Sequence, residues 1–191
     1  MESILIVISA LLVDNFLLTK LFGIESIFVA SEKPSHAALY GGLVTGITVV
    51  SGTLILALYN GILVKTEMTS VVTFASVIII NTLICAVQLL SARVSKKAHS
   101  AVEATLPMVS GNCVILGAVL LCIEQSLSFG MSVLFLLSAG IGFTFTLFVF
   151  CSVQKRLENT LPAESFRGIP ILLVSAGLAA MAFSGFYGIS F

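Results

Sequence analysis

The chain has 191 residues, 58% of them hydrophobic and only 9% charged, with a formal net charge of zero and a mean hydropathy of +1.16. A soluble domain carries about 25% charged residues, so the composition excludes a soluble globular protein and identifies an integral membrane protein. The charge balance gives no footing for nucleic acid. Four cysteines (Cys85, Cys113, Cys122 and Cys151) stand in apolar runs without a CxxC pair, which excludes a disulfide framework.

The first predicted span covers about residues 3–24. It follows the acidic Glu2 rather than a basic segment and has no small-residue cleavage site, so it reads as a retained span. It is interrupted by Asp14-Asn15 and by Lys20. Asp14 lies roughly 18 Å along a helix that starts at Glu2, near the middle of a hydrocarbon core about 30 Å thick. A carboxyl at that depth is expensive and marks a site by default. Asp14 either keeps its proton, bonded across helices, or lines a cation or proton path. Lys20 is on another face of a regular helix and is a poor partner for it.

The runs free of Asp, Glu, Lys and Arg that follow are 37–64, 68–92, 104–123, 125–154 and 168–191. Each is long enough for a spanning helix of about 20 residues. The expectation is an all-α integral membrane protein with six transmembrane helices. In the fourth span Pro107 and Gly111 precede Asn112, which lies roughly 14 Å past Glu103, again near mid-depth. Proline costs a helix hydrogen bond and clashes with the preceding turn. The segment therefore reads as either a kinked helix with a satisfied polar residue or two half-helices meeting at a buried site.

Lys33, Arg93, Lys96, Lys97, Lys155, Arg156 and Arg167 fall in loops on one side of this arrangement, against Lys65 alone on the other. The positive-inside rule puts the first group in the cytoplasm and both termini outside. Three spans per half give the halves opposite orientation, as in inverted-repeat transporters whose broken helices meet near the midplane. The whole chain, 1–191, is then a single membrane domain of two inverted three-helix repeats, about 1–97 and 98–191, with broken first and fourth helices. Asn15 and Asn112 are the polar tokens the two breaks share.

Buried cysteines are usually inert small hydrophobes, which suits Cys85, Cys122 and Cys151. Cys113 differs because the adjoining break can leave its sulfur facing a cavity, and thiolate suits iron–sulfur clusters. One cysteine cannot hold a cluster alone. His36 and His99 read as solvated loop residues, and no nucleotide-binding loop or hydrolase constellation is present.

Three segments, VDNFLLTKLFG, LPMVSGNCVILG and LPAESFRGIPILLVSAGLAAMAFSGFYG, resemble the RnfA/NqrE family over essentially the full length. These are small membrane subunits of Rnf (Rsx) and sodium-pumping NADH:quinone oxidoreductase complexes. The resemblance implies a subunit of an ion-translocating ferredoxin or NADH oxidoreductase in the bacterial inner membrane, not an enzyme alone. It implies pairing with a homologous RnfE/NqrD-like subunit of opposite topology, in a complex with RnfB-, RnfC-, RnfD- and RnfG-like subunits. It also implies a [2Fe–2S] cluster shared between the pair, two cysteines from each, which relays electrons across the membrane coupled to Na+ or H+ movement. Cys113 matches one family cysteine. At the other, in a pattern like FLGxC, this chain reads Leu21-Phe22-Gly23-Ile24-Glu25, so Glu25 stands where a thiolate is expected. On an unbroken first helix Glu25 would lie at the cytoplasmic interface; to approach a midplane cluster the chain must turn back at Gly23. Two other readings fit the same residues: a small secondary transporter without redox role, or a structural subunit that has lost the cluster.

Overall fold

The structure, a computed structural model, describes residues 16–30, 34–64, 71–94, 96–159 and 166–185. Among them the regular elements are all helical. A short helix α1 (Glu25–Ala30) is followed by α2 (Pro34–Leu58), which runs on into a π-helical turn at Tyr59–Leu63. Then come α3 (Val72–Val94), α4 (Lys96–Ser110), α5 (Cys113–Glu124), α6 (Phe129–Asn159) and α7 (Ile169–Ser184).

Three helices are long and apolar enough to cross a membrane: Pro34–Leu63, Val72–Arg93 and Phe129–Leu157. Val102–Ser110 and Cys113–Glu124 are long and apolar enough only together, and they are bent by 49° at the break between them, the geometry of a broken span or of a re-entrant loop. Ile169–Ser184 is apolar but shorter. The expected second, third and fifth spans thus appear close to their predicted limits, and the bent pair covers the expected fourth. The fourth breaks at Gly111-Asn112, whereas Pro107 is carried inside α4.

The centre of the bundle is the crossing of α2 and α6. Gly41 lies against Thr144, Gly52 against Leu136, and Gly140 against Thr45. The order of partners reverses along the chain, so the two helices run antiparallel. The contact is also reciprocal: a glycine four residues before a threonine on each helix faces the other helix's threonine. A Cβ on Gly41 or on Gly140 would come within 2.6 Å of the facing threonine. Small residues at membrane helix interfaces let backbones approach in this way. Thr45 and Thr144 donate to their own helix carbonyls, Gly41 O at 2.7 Å and Gly140 O at 2.9 Å. Their hydroxyl oxygens then sit 3.2 Å apart across the crossing. Around this crossing Tyr40, Val44, Phe135, Leu136, Phe143 and Leu147 are all buried.

The structure shows an interruption beyond the residues at which the sequence placed it. Residues 16–24 form no helix, and α1 begins at Glu25. The chain reverses through Leu21 (φ 56°) and Gly23 (φ 73°), and Phe22 N–H closes the turn on Phe16 O at 2.8 Å. A first helix reaching to residue 24 is thereby corrected: a left-handed residue cannot continue a right-handed helix. Lys20 consequently stands in the turn, not at a helix end. His36 and His99, read as loop residues, fall within α2 and α4.

Candidate functional site

The two breaks meet. Gly23, in the first, is so close to the second that a Cβ there would lie 2.8 Å from Asn112 Oδ1, 2.9 Å from Val114 Cγ2 and 3.1 Å from Phe143. Phe22 lies over Gly117 on α5, where a Cβ would come within 2.7 Å of its ring, and is stacked at 6.1 Å on Phe16. Only glycines at 23 and 117 admit this approach.

At the junction is a buried polar cluster of Ser26, Tyr40 and Asn112, which are 0%, 1% and 5% exposed. Asn112 is the N-cap of α5, with extended backbone (φ −77°, ψ 114°). Its Oδ1 accepts from Val114 N–H at 2.9 Å, satisfying one of the orphan donors of a helix start. Its Nδ2 donates to Ser26 Oγ at 3.2 Å and to Tyr40 Oη at 2.9 Å. Ser26 Oγ and Tyr40 Oη are themselves 2.9 Å apart, and Tyr40 Oη donates toward Met108 O at 3.4 Å.

One assignment of protons satisfies all of these contacts. The break redirects Asn112 N–H to Val109 O at 3.1 Å, so Met108 O loses the i+4 donor that a continuous helix would give it. The Tyr40 hydroxyl turns to that carbonyl. Ser26 then donates to Tyr40, and both amide protons of Asn112 are used. Freed carbonyls inside a membrane need such a partner, and a fully satisfied network rigidifies its members.

Next to this cluster stand the two candidate ligands. Cys113 is the first residue of α5 and Glu25 the first residue of α1; each adjoins a member of the cluster, Asn112 and Ser26. Cys113 is exposed, its sulfur 3.9 Å from Gly111 O. Glu25 is half-buried, and its Oε1 is buried and accepts no hydrogen bond. Gly23 and Ser26 both lie against Asn112, so Glu25 between them stands beside the junction. Phe143, which packs on Tyr40 at 6.3 Å, is the middle residue of the apolar stretch Phe129–Leu157. Asp14 and Asn15 lie outside the described residues, immediately before Phe16.

Of the other cysteines, Cys122 and Cys151 are buried and Cys85 is exposed on α3. Among the described residues no three His, Cys, Asp or Glu side chains converge as a metal cage. At the junction the described residues present one exposed sulfur, that of Cys113, and one carboxylate, Glu25, whose buried Oε1 accepts no hydrogen bond.

Tyr40 and Ser26 were not singled out from the sequence. Tyr40 sits in an apolar run like any core aromatic, and Ser26 directly follows a charged residue. A tyrosine six residues into a membrane helix does need a partner for its hydroxyl, and that was the available signal.

The fold and the junction define a polytopic helical membrane protein built around two half-helix starts. The profile of the Rnf-Nqr subunit membrane proteins matches residues 3–190, and the chain belongs to that family. It is 33% identical over 186 residues to the A-type component of the ion-translocating oxidoreductase complex of Syntrophotalea carbinolica, covering 97% of this chain and 96% of the relative. It is 30% identical over 188 residues to the A-type component of the Na(+)-translocating ferredoxin:NAD(+) oxidoreductase complex of Acetobacterium woodii, covering 98% of each. The A-type component of the ion-translocating oxidoreductase complex of Rhodobacter capsulatus is 33% identical over 189 residues, 98% of this chain and 97% of that one.

Proposed function

We propose that this chain is the A-type membrane subunit of an Rnf-type ion-translocating oxidoreductase complex and helps to relay electrons across the bacterial inner membrane, coupled to Na+ or H+ movement. Membership of the family and the names of the full-length relatives support the complex. The observation that supports the site is the Asn112–Ser26 hydrogen bond at 3.2 Å, which joins the residue before Cys113 to the residue after Glu25 at two helix starts.

In this reading Cys113 supplies this chain's thiolate to a [2Fe–2S] cluster shared with a homologous RnfE/NqrD-like subunit, and the exposed sulfur faces that partner. Glu25, with its unpaired oxygen, supplies the second donor. When bound, such a cluster takes up and gives back one electron at a time. The chain's own contribution is to hold the two donors, to neutralise the freed carbonyl of Met108 and to keep the junction packed against water with Phe16, Phe22 and Phe143. Asp14 and Asn15, in the first break, line the ion path, while Asn112 keeps the second break in shape. RnfB-, RnfC-, RnfD- and RnfG-like subunits complete the complex. The arrangement is a single membrane domain of two inverted three-helix repeats, about 1–97 and 98–191. The reciprocal antiparallel crossing of α2 and α6, the second helix of each proposed half, supports it, as does the matched placing of α1 and α5. The lysine and arginine bias puts both termini outside.

The test uses the assembled complex in membrane vesicles. Cys113→Ser is expected to reduce both ferredoxin- or NADH-driven electron transfer and ion uptake to background. Glu25→Cys is expected to retain iron and acid-labile sulfide while moving the electron paramagnetic resonance g-values, because sulfur replaces oxygen at one iron. Full activity in Cys113→Ser would overturn the redox reading. An unmoved spectrum in Glu25→Cys would remove Glu25 from the ligand set.

A further inference from the structure

We propose that Tyr40 is the positioning residue of the site: its hydroxyl makes the two half-helix starts one mechanical unit, and so sets where Glu25 and Cys113 stand relative to each other. The inference goes beyond the ligand assignment and stands whether or not either residue binds metal.

The argument is one of donors and acceptors. α1 has six residues, about one and a half turns, too short to hold its own place. α5 begins at a 49° bend, where the backbone alone fixes no direction. Ser26 is the residue after Glu25, and Asn112 the residue before Cys113. Nothing covalent joins these segments within 86 residues. The Tyr40 oxygen is within 2.9 Å of both Ser26 Oγ and Asn112 Nδ2, and it reaches back to Met108 O, on the far side of the break, at 3.4 Å. A single atom thus touches α1, the cap of α5 and the last turn of α4.

The tyrosine is itself held by α2, the helix that crosses α6 at the reciprocal glycine–threonine contact, and its neighbour Gly41 makes that contact. Its ring packs on Phe143 of α6. The hydroxyl therefore projects from the most tightly built part of the bundle into its most interrupted part. Phenylalanine at position 40 would preserve the ring packing. It would also leave one Asn112 amide proton and the Met108 carbonyl without partners inside a membrane protein, where no solvent stands in. Asn112 would then be free to turn, and its Oδ1 would leave Val114 N–H. The Ser26–Asn112 bond alone is 3.2 Å and does not reach α4.

The test follows amide exchange and one distance in the full chain, purified without its partners in phospholipid nanodiscs. In Tyr40→Phe the exchange of Val114 and of the first amides of α1 is expected to rise on the order of tenfold, the effect of losing about one to two net hydrogen bonds. The middle of α2 and α6 is expected to exchange as before. A uniform acceleration across the chain, or none at Val114, overturns the proposal, since a merely structural role would loosen the whole bundle. The distance is read between spin labels on Cys113 and on Glu25→Cys, with the exposed Cys85 removed as Cys85→Ala. Its distribution is expected to broaden about twofold when Tyr40→Phe is added, and an unchanged width counts against the proposal. If Tyr40→Phe does not accumulate, Ser26→Ala decides the matter. It breaks the link on the α1 side alone and is expected to speed the α1 amides several-fold with a smaller change at Val114; no change at α1 overturns the clamp. None of these readouts depends on electron transfer, so failure here and failure of the redox reading are told apart.

Discussion

At the scale of single residues, Asn112 carries more of the structure than any other polar side chain at the junction. Its carbonyl caps α5 through Val114 N–H, and its amide binds both Ser26 and Tyr40. Replacement by leucine keeps the number and branching of side-chain heavy atoms and removes every one of these bonds. A lost cap costs about 1 kcal/mol, and each buried polar group left unpaired adds about 1–3 kcal/mol. Asn112→Leu is therefore expected to destabilise the chain by about 2–4 kcal/mol, read as a lower midpoint of thermal unfolding in detergent. Cys113→Ala, next to it, removes only an exposed thiol with one weak sulfur contact. It is expected to leave the midpoint within about 0.5 kcal/mol of the parent. The contrast separates the residue that builds the junction from the residue that the junction presents. Asn112 and Cys113 were both legible in the sequence, because a polar token in an apolar run has to be explained. Tyr40 was not, because nothing local distinguishes a bonded hydroxyl from a core ring.

At the scale of elements, the two breaks are alike in placing Glu25 and Cys113 at a helix start and unlike in how the backbone achieves it. The second uses the sequence signals expected of a broken helix, with proline near the end of α4, then glycine and a capping asparagine. Those signals were sufficient to locate it, apart from the detail that α4 continues through Pro107 to Ser110. The first uses Leu21 and Gly23 in left-handed conformations. Leucine gives no warning of that, so the sequence placed the interruption at its polar residues and carried the helix too far. Tertiary packing overrides local preference there: the reversed turn lets Phe22 lie on Gly117 and Gly23 lie on Asn112. The π-helical turn at Tyr59–Leu63 was equally silent. Two glycines test this account. Gly23 has φ 73° and three neighbours within 3.1 Å of a would-be Cβ. Gly23→Ala combines a left-handed backbone penalty of about 1–2 kcal/mol with overpacking of about 1–3 kcal/mol. Gly111, in the other break, has its nearest neighbour to a Cβ at 4.0 Å. Gly111→Ala is expected to be within about 0.5 kcal/mol of neutral. Unfolding midpoints of the two variants in the same detergent provide the comparison, and equal losses would remove the close packing of the first break from the argument.

At the scale of the whole molecule, charge-free runs were enough to find the long spans, since apolar length is what a bilayer demands. How the spans meet was not legible, because a glycine in an apolar helix carries no mark of the residue it will face. The reciprocal contact between α2 and α6 supplies that information and makes a prediction of matched pairs. Gly41 faces Thr144, and Gly140 faces Thr45, with the same 2.6 Å approach in each case. Gly41→Ala and Gly140→Ala are therefore expected to lower the unfolding midpoint by similar amounts, about 1–3 kcal/mol each from overpacking at a tight crossing. Relief must come from across the helix pair and not from within a helix. Adding Thr144→Gly to Gly41→Ala clears the space the new methyl needs, whereas adding Thr45→Gly does not; the converse holds for Gly140→Ala. Each glycine introduced into a helix carries its own cost of about 1 kcal/mol, so the measure is the coupling energy of a double-mutant cycle and not the stability of the double variant. Favourable coupling in the two crossed pairs, with little in the two same-helix pairs, is the expected pattern. Coupling confined to one crossed pair would mean that the local two-fold relation between α2 and α6 is geometric coincidence, and the inverted-repeat reading would lose its main structural support.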